Sequence, residues 1–215
     1  MRDIPIFTTE YGVASLVLRE IPYRQEAYIC IHSSCQPKEL LDECVAFCRS
    51  CGAEKIYARG HKIAEEYPLH TAIVKMRGIA QIDENKVACL FPVTEDTIAS
   101  WRQFLNERLR NVDNAGTLAS QGEAEILQSG GAYFVHHGGT LLGAGWLKDG
   151  ELLLIAAIPG EGERVLHTLL SIQKEQPVQL EVASTNVRAI RLYERFGMIR
   201  MEEIRRWYKI FPLDK

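Results

Sequence analysis

Three polar residues toward the end of the sequence are placed to do chemistry: Glu181, Asn186 and Tyr193. A carboxylate accepts a proton, a phenol can give one up, and a side-chain amide hydrogen-bonds in both senses. Their spacing gathers them at one junction. Val178, Leu180 and Val182 alternate with Gln179, Glu181 and Ala183, the period of a strand with two unlike faces. Ser184, Thr185 and Asn186 then supply oxygens suited to capping a helix start. Ala189, Ile190, Tyr193 and Phe196 recur at helical spacing, and Gly197 stands where a left-handed stop is wanted. A strand ends, a short helix begins, and the polar groups surround the turn between them.

The residues Leu180-Glu181-Val182, Asn186, Ala189, Leu192-Tyr193-Glu194 and Gly197-Met198 together resemble the acyl-CoA-binding strand–helix segment of the GNAT acetyltransferase superfamily. Ile204 to Ile210 is similar to that family's last strand, and the Leu-Glu-Val strand is closest to the branch acetylating protein N-terminal amines. The resemblance implies an N-acetyltransferase that uses acetyl-CoA as co-substrate. A primary amine, on a small molecule or a peptide N-terminus, would attack the thioester directly. On this reading Tyr193 is the general acid for the departing thiolate and Glu181 the base, directly or through a water. Asn186 would cap the helix or hydrogen-bond the pantetheine arm.

The pyrophosphate is expected on backbone N–H groups at a helix start, after a Gly-bearing turn. That turn is Ile158-Pro159-Gly160-Glu161-Gly162-Glu163-Arg164. The cofactor-binding residues implied are therefore Ala156, Ala157, Ile158, Gly160, Gly162, Glu163 and Arg164, with Asn186, Ala189 and Tyr193 from the motif; no metal is implied. The turn departs from the family pattern. Ala157 stands where Gln or Arg is usual, the loop is short, and Glu161 and Glu163 add negative charge that Arg164 alone offsets. A degenerate GNAT fold that binds acyl-CoA or regulates without catalysis is the alternative reading.

Two halves of the sequence can hold such a site. In the first, residues 14–20 and 27–32 read as strands joined by a turn at Pro22-Tyr23-Arg24-Gln25. A helix from Pro37 to Cys51 follows, then Gly52 and a strand at 55–58. Residues 67–76 and 87–91 are further strands, and the polar run Gln81 to Lys86 is the expected domain boundary. In the second half, Thr94 is a candidate N-cap for a helix whose inner face is Ile98, Trp101, Leu105 and Leu109. Asn111 to Gln121 reads as a loop, His136-His137-Gly138-Gly139 as a hairpin turn, 151–158 as a strand and 163–174 as a helix. Both halves share an order of strand, turn, strand, helix, strand. The expectation is an α/β protein with a mixed, mostly antiparallel GNAT-type sheet flanked by helices. Residues 86–215 would be the acetyltransferase domain, and 1–85 a smaller, partial GNAT-like lobe without catalysis.

A chain of 215 residues with a formal charge of −3 is long enough for a core and has no basic footprint. Nucleic acid is not expected as a partner, and a homo-oligomer is compatible. No run has the apolar length of a membrane span and Met1-Arg2-Asp3-Ile4-Pro5 has no signal-like apolar core, so a cytoplasmic protein is expected. Cys44, Cys48 and Cys51 fall at helical spacing beside Leu40, Leu41 and Phe47, which reads as a buried face of thiols rather than a zinc site. His136 and His137 belong to an exposed turn, and Trp101, Trp146 and Trp207 to the core or its edges.

Overall fold

The computed structural model describes residues 5–113 and 115–210. Met1 to Ile4, read above for a leader, and Asn114 of the polar loop lie outside the described residues. In chain order the elements are β1 (Ile6–Thr9), β2 (Gly12–Val17), α1 (Ile21–Arg24), β3 (Glu26–Ser34), α2 (Pro37–Ser50), β4 (Lys55–Arg59) and β5 (Leu69–Ile79). There follow β6 (Cys89–Pro92), α3 (Ile98–Leu109), α4 (Glu123–Ser129), β7 (Ala132–His137), β8 (Thr140–Lys148) and β9 (Glu151–Ala157). The chain ends with α5 (Gly162–Leu170), β10 (Pro177–Ala183), α6 (Val187–Arg195) and β11 (Ile199–Ile210). Contacts divide it into one compact unit of Met1–Ala72 with Ile204–Lys215 and a second of Ile73–Glu203. The boundary expected between residues 85 and 86 falls inside the second unit.

In the first unit the strand order is β1-β2-β3-β4-β11, antiparallel except for β3 and β4. Those two run parallel and stay paired along all of β4, from Glu26↔Lys55 to Cys30↔Arg59. Helix α2 is the crossover between them. It buries Leu40, Leu41, Cys44 and Cys48 completely, against Ala27, Ile29, Ile31, Ile56 and Ala58. Burial pushes the Cys44 and Cys48 thiols up to about 12, so they are inert core groups. Cys51 and Phe47 are exposed, contrary to expectation. Cys51 is already the C-cap, and Phe47 turns off the buried stripe to meet Phe7, ring centroids 5.2 Å apart.

In the second unit the order is β11-β5-β10-β9-β8-β7-β6. Strand β5 pairs antiparallel with the motif strand β10, from Ile73↔Ala183 to Ile79↔Pro177. Helices cover both faces. Val165, Leu166, Leu169 and Leu170 of α5 are fully buried on one, and Ile98, Trp101 and Leu105 of α3 pack with Ile126, Ala144 and Ala156 on the other. Helix α5 sits so close to β8 that a Cβ at Gly143 would lie 2.7 Å from Val165 Cγ2 and 2.5 Å from the Ala156 carbonyl oxygen. Only glycine fits there. The architecture is the mixed α/β class expected, with a mostly antiparallel sheet flanked by helices.

Several boundaries differ from the sequence reading. Helix α3 starts at Ile98 with Thr97 as its N-cap, because the Thr97 and Ile98 N–H groups both donate to the Thr94 carbonyl in a preceding turn. Helix α4 was not expected, α5 stops at Leu170 before a 3-10 turn at Ser171–Gln173, and β11 starts at Ile199. The polar run 81–86 is docked rather than loose. Asp83 N–H donates to His167 Nδ1 (3.2 Å) and Ala88 N–H to Thr168 Oγ1 (2.9 Å), which satisfies two buried polar side chains of α5. Among the described residues no helix is long and apolar enough to cross a membrane.

Candidate functional site

Parallel strands β9 and β10 begin side by side and then part. They pair only at Glu151↔Gln179 and Leu152↔Leu180, at the start of both strands. The cause is visible in the next ladder. Trp146 of β8 faces Leu154 while Leu147 faces Leu152, which leaves Leu153 as an extra residue. A β-bulge of this kind bends its strand, and here it turns β9 away from β10 one residue after their last pair. The backbone of β9 beyond Leu152 therefore has no ladder partner on the β10 side.

A cleft of about 230 Å³ occupies this region, lined by Leu152 to Ile155 of β9 and Glu181 to Ala183 of β10. Asn186 and Tyr193 complete that wall, and Ile73 of β5 with Leu109, Val112, Asp113, Ala115 and Gly116 form the rest. The three polar residues singled out in the sequence thus share one cleft. Asn186 sits at the N-cap of α6, its Oδ1 accepting from the Ala189 N–H at 3.2 Å. Ile190 and Tyr193 are buried as the inner face of α6, with Phe196 buried at its C-cap, which orients Tyr193. Burial raises the Tyr193 phenol to about 12, so it keeps its proton across the neutral range. Glu181 is exposed on the strand, directly across from Lys75 of β5.

The other expected cofactor residues lie beyond this cleft. Ala156 packs in the α3 cluster, while Ala157 and Ile158 pack toward α5. Their side chains are structural, and the Ile158 backbone is already engaged, its N–H donating to the Leu142 carbonyl at 2.8 Å. Gly160, at φ +91°, makes the turn into α5, where the Glu161 N–H returns to the Ile158 carbonyl. The N–H groups of Gly162, Glu163 and Arg164 open the helix and have no intrahelical acceptor. Arg164 does not carry the charge balance alone. It lies 3.7 Å from Glu161, whereas Glu163 holds Lys86 at 2.6 Å and Arg195 at 3.7 Å. The Lys86 hydrogen bond is the main reason the Glu163 carboxyl titrates below its ordinary value. Lys86 and Arg195 arrive from separate elements, a pairing that no spacing in the sequence announces. Ile73 and the wall of Leu109, Val112, Asp113, Ala115 and Gly116 were likewise missed, and only the polar loop hinted at the latter.

No family model matches the sequence, and no curated protein matches it. Among solved structures, a GCN5-related N-acetyltransferase (GNAT) from Anabaena variabilis superposes with a TM-score of 0.60 at 9% identity, covering 93% of this chain and 59% of that one. The chain has the GNAT fold. A second GCN5-related N-acetyltransferase, from Kribbella flavida, gives 0.58 at 10% identity over 94% of this chain and 58% of that one. A conserved protein of unknown function from Staphylococcus epidermidis gives 0.55 at 10% identity, covering 96% and 93%. The chain thus spans less than two-thirds of the two acetyltransferases. Among the described residues no cluster of His, Cys, Asp or Glu could hold a metal ion.

Proposed function

We propose that this chain transfers an acetyl group from acetyl-CoA to a primary amine, on a small molecule or a peptide N-terminus. The observation that carries the reading is the opening of β9 from β10 at Leu153, with Glu181, Asn186 and Tyr193 along the gap. An extended pantetheine arm would lie in that gap against the unpaired β9 backbone, much as a strand would. The pyrophosphate would meet the first-turn N–H groups of α5, where the helix dipole favours an anion.

Each step then has a residue. Glu181 takes the proton from the acceptor ammonium, directly or through a water, and the free amine attacks the thioester carbonyl. The C–N bond forms, the C–S bond breaks, and Tyr193 gives its proton to the departing thiolate. No covalent enzyme intermediate is needed. The acceptor would enter past Leu109, Val112, Asp113, Ala115 and Gly116. The first unit repeats the β3–α2–β4 order of β9–α5–β10, but its parallel pair stays closed along all of β4. We take it as a partial GNAT-like lobe without an acyl-CoA gap of its own.

One observation favours a second reading, an acyl-CoA-binding module without turnover. The cations nearest the start of α5 are already engaged by Glu161 and Glu163. Calorimetric titration with acetyl-CoA, followed by thiol release on a panel of amines, separates the two. Saturable heat with thiol release is expected. Heat without release on any amine would leave the binding module, and no heat at millimolar acetyl-CoA would overturn both.

A further inference from the structure

The cleft beside β9 and β10 carries charge of one sign. Among the described residues that line it, the charged types are Asp113 and Glu181, both acidic, with no Lys, Arg or His. Lys75 stands across the ladder from Glu181 on β5 but does not line the cleft, so it answers the β10 side only. The two carboxylates come from different elements. Glu181 is exposed on β10, whereas Asp113 is half-buried in the turn that follows α3. The wall that carries Asp113 is otherwise apolar or glycine, with Ile73, Leu109 and Val112 its largest side chains.

A third polar group shows that this space can take a ligand. Tyr193 is only 7% exposed and lines the same cleft, and its hydroxyl has no hydrogen-bond partner among the described residues. That oxygen is not among the sealed, unpartnered atoms of the protein, so the cleft reaches it. A hydroxyl so placed is satisfied by water or by a bound molecule. The cleft thus offers a reacting end at Tyr193 and Glu181, an apolar wall, and a second acid at Asp113.

We infer that the acceptor is a small diamine, an amine with a second ammonium group a few methylenes away. The inference rests on the acetyl-transfer reading and narrows it. Glu181 takes the proton of the reacting ammonium, the methylenes lie on the apolar wall, and Asp113 accepts hydrogen bonds from the second ammonium, which stays charged. One nitrogen is acetylated, CoA leaves as the thiol, and one proton passes to solvent through Glu181. A cleft lined by one sign of charge concentrates ions of the other sign, and a dication gains from both carboxylates. An amino acid would set its own carboxylate against Asp113 and be rejected. A peptide N-terminus would lay backbone amides along side chains that offer them no hydrogen bond.

The test compares thiol release from acetyl-CoA with putrescine, butylamine and γ-aminobutyrate. These share a chain length and a reacting amine, and their far ends are cationic, apolar and anionic. Putrescine is expected to have the highest kcat/KM, at least about tenfold above butylamine, the worth of a charge-assisted hydrogen bond. γ-Aminobutyrate is expected to be the poorest. Asp113→Asn should bring the ratio of putrescine to butylamine close to one, chiefly through KM. Equal rates for putrescine and butylamine would overturn the diamine while acetyl transfer stands, as would a ratio that survives in Asp113→Asn. If no amine releases thiol, acetyl transfer itself fails, and calorimetric titration of the same amines decides the rest. Putrescine bound at least about tenfold more tightly than butylamine would then support the site, and equal affinity would overturn it. Should Asp113→Asn fail to fold, the amine series on the unaltered protein decides alone.

Discussion

Replacing Tyr193 by Phe should separate chemistry from architecture in this protein. The ring is only 7% exposed and packs with Ile190 and Phe196, and Phe preserves all of that contact. Among the described residues the hydroxyl has no hydrogen-bond partner to lose. Its removal should therefore change stability by less than about 1 kcal/mol, the typical net value of one hydrogen bond. For a chain of this size that is a melting shift of no more than about 2–4 °C. The chemical effect should be far larger. A phenol raised to about 12 by burial is fully protonated at neutral pH and available as a donor. Losing a general acid lowers a rate by about 10²–10⁴-fold, which corresponds to roughly 2.7–5.5 kcal/mol of barrier. Thiol release at saturating acetyl-CoA reads kcat, and calorimetry reads Kd. The expected outcome is a kcat lower by at least about a hundredfold with acetyl-CoA affinity unchanged, because the lost interaction matures in the transition state. A loss smaller than about tenfold in a well-folded Tyr193→Phe protein would refute the assignment, since the proton would then come from another donor.

Three further outcomes follow from particular contacts. Neutralising Glu161 and Glu163 together as Gln should release Arg164, Lys86 and Arg195 and tighten acetyl-CoA a few-fold, with the gain fading at high salt; unchanged affinity by calorimetry would mean that the turn points away from the pyrophosphate. Gly143→Ala should destabilise the fold by about 1–3 kcal/mol, read as a lower denaturant midpoint, because its Cβ has nowhere to go between Val165 and the Ala156 carbonyl. His167 titrates below its ordinary value of 6.5, chiefly through burial, so the unfolded chain takes up its proton first. Stability present above that value should fall as pH drops through the folded value. His167→Asn, which keeps an acceptor for the Asp83 N–H, should flatten that part of a melting-temperature profile against pH.

The parts of the fold legible in the sequence were those written in local signals. Asn186 capping α6, Gly197 ending it, the Gly138-Gly139 turn and the Leu40, Leu41, Cys44, Cys48 stripe each involve residues a few positions apart. What escaped depends on neighbours distant in the chain. The bulge at Leu153 is set by its register against Trp146 and Leu147, and nothing in the run Glu151 to Ala157 marks it. The anchoring of residues 83–88 rests on His167 and Thr168, so a polar stretch that reads as a linker is held by a helix far downstream. The place of β5 beside β10 was equally hidden, since β-pairing partners leave no periodic trace. For the site, the gathering of Glu181, Asn186 and Tyr193 around one strand–helix junction was readable, and the parting of β9 from β10 beside it was not.

That position of β5 has a consequence for how the molecule comes into being. The strand leaves the ribosome early, yet Ile73 to Ile79 must wait for Pro177 to Ala183 before they gain their ladder partner. Pairing across so long a stretch of chain is entropically costly and slow to form. Until then β5 has an unmatched edge, the kind of surface that recruits stray strands. Expression of residues 86–215 alone would create the converse problem, leaving β10 without its antiparallel neighbour and Glu181 on a bare edge. Dissection of this protein at the junction its sequence suggests should therefore yield an aggregating fragment, and a soluble half should need β5 restored, for instance by a circularly permuted chain that appends residues 69–79 after residue 210.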